Sequence, residues 1–98
     1  MGIYLAILLS VISTPEHQDS GFLTLLQTFD YPGLEILVEG KWYSVPPVKD
    51  ALVVNLGEQM TKMSNGRFKA TVHRVIDIGK DRYVVALEVR QIQYLPKN

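Results

Sequence analysis

His17 and Asp19 stand two residues apart in "STPEHQDSGFLTLL", immediately before an alternating apolar run. In an extended backbone, residues two apart point to the same face, so their side chains can converge while Gln18 faces away. The only other histidine, His73, lies in "RFKATVHRVI", with Thr71 and Val75 on its own face. Arg82 begins the run "RYVVALEV" and shares a face with Val84 and Ala86. Two neutral imidazoles and one carboxylate make up the facial ligand set of a non-haem Fe(II) centre, with positions left open for a chelating cosubstrate and O2. An arginine on a neighbouring strand offers a bidentate fork to the far carboxylate of such a cosubstrate.

Each piece also has a plainer reading. H-x-D suits a polar turn, and a lone histidine in a strand is commonly a packed residue. A structural zinc site fits less well, because an open carboxylate-containing triad suits catalysis better than a closed tetrahedron.

The elements that must position these residues are short strands. "FLTLLQTF" alternates, with Leu23, Leu25 and Gln27 on one face and Phe22, Thr24, Leu26 and Thr28 on the other. "DYPG" is a turn signal, and "LEILVEGKWYSV" folds back as a hairpin around Glu39-Gly40. "PPVKD" interrupts pairing, since proline donates nothing to a ladder. "ALVVNLG" has the continuous apolar character of a strand buried on both faces, and Asn55 within it reads as a strand-end hydrogen-bonder. "EQMTKMSNG" makes one short helical turn closed by Asn65-Gly66, with Glu58 at its start. "RFKATVHRVI" and "RYVVALEV" are two further strands. Arg74 alternates to the face opposite His73, where a salt bridge across the sheet suits it, and Trp42 and Tyr43 pack across the hairpin. Six to eight short strands with almost no helix predict an all-β sandwich or jelly roll.

With 98 residues the chain has room for one domain. Its formal net charge is zero and it has no basic cluster, which argues against nucleic acid and anionic membrane as partners. It contains no cysteine, so disulfides and thiolate–zinc sites are excluded. Residues 1–14 form an apolar segment preceding a domain over 15–98. The run Ile3 to Ile12 is shorter than the roughly 20 residues of a membrane span. It resembles a secretory leader in length but lacks the usual basic start. A strand buried in the fold is the preferred reading, and the expected compartment is the cytoplasm.

"HQDSGFLTLLQ", "GLEILVEGKWYSVPP", "ALVVNLGEQMTKMSNGRFKATVHRV" and "DRYVVAL" together, in this order and spacing, closely resemble one domain. It is the C-terminal catalytic domain of the isopenicillin N synthase-like 2-oxoglutarate/Fe(II) oxygenases. The resemblance covers about His17 to Leu87. It implies a double-stranded β-helix, a jelly-roll variant, incomplete here on its N-terminal side. It also implies Fe(II) held by His17, Asp19 and His73, and 2-oxoglutarate as cosubstrate with its distal carboxylate on Arg82. The implied reaction uses O2 to oxidise a small organic substrate, releasing succinate and CO2. The competing class is a non-catalytic jelly-roll module descended from the same family.

Two departures stand out. The family pattern is arginine, any residue, serine, whereas this chain has Arg82, Tyr83, Val84. An N-Y-Y-P-like strand expected ahead of the H-x-D is replaced by "IYLAILLSVISTPEH", in which Tyr4 lies too far upstream to match. The ranked explanations are a fragment of a longer enzyme, a degenerate paralogue, and a minimal oxygenase that uses Ile3 to Ile12 as a surrogate strand.

Overall fold

A computed structural model describes residues 2–11, 13–80 and 82–91; for residues 2–11, 82, 83, 90 and 91 the description is of the backbone. The strands are β1 (Gly2–Val11), β2 (Thr14–His17), β3 (Leu23–Gln27), β4 (Leu34–Val38), β5 (Lys41–Ser44), β6 (Val53–Leu56), β7 (His73–Val75) and β8 (Arg82–Gln91). One helix, α1 (Glu58–Met63), follows β6. The strands form two four-stranded antiparallel sheets, ordered β1-β8-β3-β6 and β2-β7-β4-β5. This is the expected all-β, jelly-roll layout.

Alternation settles which residues enter the space between the sheets. From the first sheet, Thr24, Leu26, Asn55, Val84 and Ala86 face inward; Thr14, His17, Leu34, His73 and Val75 line the same space from the second. Leu34 and Val84 are the buried apolar anchors here, at 2% and 7% exposure. The backbone of Gly2–Val11 pairs along the whole of β8, from Gly2 opposite Gln91 to Val11 opposite Arg82.

The hairpin β4–β5 turns at Glu39 and Gly40, with φ of 50° and 79°. Such a two-residue turn matches the right-handed twist of its strands. Arg74 lies opposite Glu35 on β4; its Nε donates to Glu35 Oε1 at 2.7 Å, and its guanidinium covers the Trp42 ring at 3.8 Å. The expected cross-sheet ion pair is thus formed, and Trp42 packs beneath it.

One expectation fails. Leu52 and Val54 are about half exposed instead of buried on both faces. The apolar run "ALVVNLG" resembles a central strand, but β6 is the edge of its sheet, and Val54 points away from the interior.

Helix α1 has six residues and no side-chain cap, so tertiary bonds must support it. Its first N–H groups, which lack intrahelical partners, donate to the chain that follows His17. Gly57 N bonds Phe22 O at 2.9 Å, Glu58 N bonds Asp19 O at 2.8 Å, and Gln59 N bonds Gly21 O at 3.0 Å. The start of the helix therefore clamps the backbone that carries Asp19.

Candidate metal centre

His17 and His73 are direct partners across β2 and β7, separated from the Thr14–Val75 pair by a register shift. Their rings lie 4.3 Å apart, centre to centre, and are inclined at 58°. His17 Nδ1 is 2.9 Å from the carbonyl of Pro15, and His73 Nδ1 is 3.0 Å from that of Thr71. A carbonyl only accepts, so in each ring Nδ1 carries the proton and donates. Nε2 is then left as a lone pair when the ring is neutral. An outer hydrogen bond of this kind orients a metal-ligating histidine.

Asp19 completes the group. Its Oδ1 is 3.5 Å from Nε2 of both histidines, and three ligand atoms of His17, Asp19 and His73 lie within 4.8 Å of one another. Ligand atoms about 2.1 Å from an ion and at right angles stand about 3 Å apart, so a small contraction suffices to enclose one. Asp19 Oδ2 is buried and has no hydrogen-bond partner. Buried carboxylate oxygens are normally satisfied, and an orphan beside two aligned imidazole lone pairs is the mark of a site shaped for a cation. These three residues fit a divalent metal with mixed nitrogen and oxygen ligands.

Other contacts hold the group in place. Gln18 turns away, as expected, and its Nε2 donates to Ala70 O at 2.8 Å; Ala70 N in turn donates to Thr61 Oγ1 at 3.0 Å. The Asp19 loop, the approach to β7 and α1 are thereby tied together.

Burial works against charge on Asp19, but the facing His73 outweighs it through contact and charge, helped by Thr24 and His17. The carboxyl is held below its ordinary 3.8. The Thr24 hydroxyl acts in this direction without a formed hydrogen bond to Oδ2. Burial likewise disfavours a charged His73, yet the Asp19 carboxylate and the Thr71 carbonyl raise it above 6.5. The raised histidine stabilises the fold fully below 6.5, and this is lost as pH climbs through its folded value. The lowered carboxyl stabilises above 3.8, and this is lost as pH falls through its folded value. The metal-free chain should thus exceed an Asp19→Asn variant in melting temperature most clearly between pH 3.8 and 6.5. A difference that stays flat from about pH 3 to about pH 9 contradicts this coupling.

A cavity of about 160 Å³ adjoins the triad, with walls that include Leu26, Leu34, Val75, Val84 and Ala86. The backbone of Arg82 opens β8 two residues before Val84; its side chain lies outside the described residues. Asn55, which its sequence position marks as a turn or strand-end hydrogen-bonder, is buried and lines this cavity beside Thr24. The available signal was a polar residue on each inward face, across from each other in the pairing of β3 with β6. Sequence reasoning missed Gly57, because its importance lies in the close approach of Gly21 and nothing in its local sequence reveals that contact.

Comparison with known proteins agrees with this geometry. Residues 9–91 match the model of the 2OG-Fe(II) oxygenase superfamily. The kihadalactone A synthase LFS of Citrus sinensis is 40% identical over 82 residues, covering 79% of this chain and 24% of that protein. The chain therefore spans about a quarter of the length of this relative. Among solved structures, the 2-oxoglutarate complex of AtDAO1, the dioxygenase for auxin oxidation 1 from Arabidopsis thaliana, superposes with a TM-score of 0.77 at 34% identity. It covers 82% of this chain and 32% of its own. JOX2 in complex with 2OG, Fe and JA gives a TM-score of 0.74 at 32% identity, covering 79% and 23%. By sequence and by fold, the chain belongs to the 2OG-Fe(II) oxygenase superfamily.

Proposed function

We propose that the chain is the metal- and cosubstrate-binding core of a 2-oxoglutarate-dependent oxygenase, with Fe(II) held by His17, Asp19 and His73. The observation that carries this reading is the convergence of three ligand atoms within 4.8 Å beside an unsatisfied buried carboxylate oxygen. Fe(II), when bound, supplies the redox chemistry that couples decarboxylation of 2-oxoglutarate to oxidation of a C–H bond with O2. The protein's part is to position and to shield. The Pro15 and Thr71 carbonyls keep both Nε2 lone pairs aimed inward, and Asp19 brings the balancing negative charge. Leu26, Leu34, Val75, Val84 and Ala86 keep the adjoining space dry. We assign Arg82 to the distal carboxylate of the cosubstrate, a role suited to its permanent charge. The solved complexes with 2-oxoglutarate support that cosubstrate. A small organic molecule is the proposed substrate.

The test is an anaerobic titration of the chain with Fe(II) and 2-oxoglutarate. A weak visible charge-transfer band should appear, and His73→Ala should abolish it. No band and no succinate on exposure to O2 would leave the non-catalytic jelly-roll module as the answer.

A further inference from the structure

We propose that Gln18 and Thr61 are positioning residues that set the separation of Asp19 from His73 through a shared hold on the backbone of Ala70. The inference rests on the metal site proposed above. The ladder between β2 and β7 ends at the His17–His73 pair, and Asp19 lies just beyond it, outside any strand. Past that pair the two segments are joined by a side chain. Gln18 Nε2 donates to Ala70 O at 2.8 Å, across 52 positions of sequence. Ala70 N donates in turn to Thr61 Oγ1 at 3.0 Å. Thr61 stands on α1 about one turn after Glu58, whose N–H holds the Asp19 carbonyl at 2.8 Å.

These contacts close a ring. It runs from Asp19 through Glu58, one turn of α1, Thr61 and Ala70 to Gln18, which is covalently joined to Asp19. His73 follows three residues after Ala70, and between them the Val72 carbonyl accepts from Leu37 N at 2.8 Å. Both ligands thus hang from short segments that are pinned close by. Asp19 Oδ1 stands 3.5 Å from His73 Nε2 as a result. Neither Gln18 nor Thr61 lines the cavity beside the triad, so any effect on the metal must pass through the backbone. The plainer role is to satisfy the N–H and C=O of Ala70, which is 7% exposed. That role does not require one partner to come from within H-x-D and the other from the helix that grips Asp19. Ligands already held at binding geometry need not be ordered when the ion arrives, which favours affinity.

The experiment is a Co(II) titration of the full chain, followed by visible absorption well below the melting temperature of each metal-free protein. Gln18→Met keeps the length and removes the donor; Thr61→Val keeps the shape and removes the acceptor. Each should weaken Co(II) binding about three- to tenfold, the scale of one neutral hydrogen bond. Thr61→Ser should restore parent affinity. Because both side chains act on one residue, the double variant should lose about as much as the worse single variant, whereas independent effects would multiply. A merely structural role lowers melting and leaves Co(II) affinity as it was. Parent-like affinity in either single variant, losses that multiply in the double variant, or failure of Thr61→Ser to restore binding overturns the shared hold and leaves the triad standing. A parent chain that does not bind Co(II), or a His73→Ala variant that binds as well as the parent, overturns the triad and the positioning role with it.

Discussion

Gly57→Ala should lower the melting temperature by roughly 10–20 °C and weaken metal binding in the same protein. A Cβ at this position would lie 2.0 Å from the carbonyl oxygen of Gly21 and 2.7 Å from its carbon. The obstacle is backbone, so no rotamer change relieves it. The dihedrals of Gly57, φ −101° and ψ 175°, are ordinary extended values open to any residue. The glycine is there for space and not for conformation. Overpacking of this kind costs about 2–3 kcal/mol. The relaxation must push residues 19–22 away from α1, and the Asp19 carbonyl, 3.1 Å from the added carbon, moves with them. Thermal melting and Co(II) titration check both effects. Parent-like values in the two measurements would show that the clamp between α1 and the Asp19 loop does not position the ligand.

Val84→Ser should tighten binding of 2-oxoglutarate to the metal-loaded chain by about ten- to a hundredfold, since a hydrogen bond to a charged group contributes about 1.5–3 kcal/mol. Val84 is 7% exposed and lines the cavity next to the triad. There it fills volume and gives no donor, at the position where the family pattern has a serine. If Arg82, two residues earlier, takes the distal carboxylate as proposed, its charge remains, and the parent should bind the cosubstrate weakly instead of not at all. The smaller serine removes apolar volume, at a cost of about 1 kcal/mol in fold stability. Equal 2-oxoglutarate affinity in parent and variant would refute the weakening attributed to Val84.

The parts of the fold legible in the sequence were those written in local chemistry. Glu39-Gly40 marked its hairpin, alternation in "FLTLLQ" assigned Thr24 and Leu26 to one face, and Asn65-Gly66 marked the end of α1. Arg74 could be placed opposite His73 because strand period alone separates their faces. What escaped depends on distant neighbours. The position of β6 at a sheet edge, which exposes Val54, is a property of strand order and leaves no trace in "ALVVNLG". The contact of Gly57 with Gly21 joins residues 36 apart in the chain. The triad itself was readable as residue types, but its closeness rests on the pairing of β2 with β7, which no local pattern specifies.

That pairing carries a consequence for how this domain can change. Between the Thr14–Val75 and His17–His73 pairs, β2 spends one residue more than β7. Strand faces alternate residue by residue, so the parity of the Pro15–Glu16 stretch decides whether His17 points inward. Losing or gaining one residue there would turn His17 outward with every side chain intact. Loop lengthening within Val45–Ala51, between β5 and β6, leaves that parity untouched. Mutational tolerance in this domain should therefore divide by type of change: the stretch ahead of the H-x-D can accept altered letters far more readily than an altered count of them.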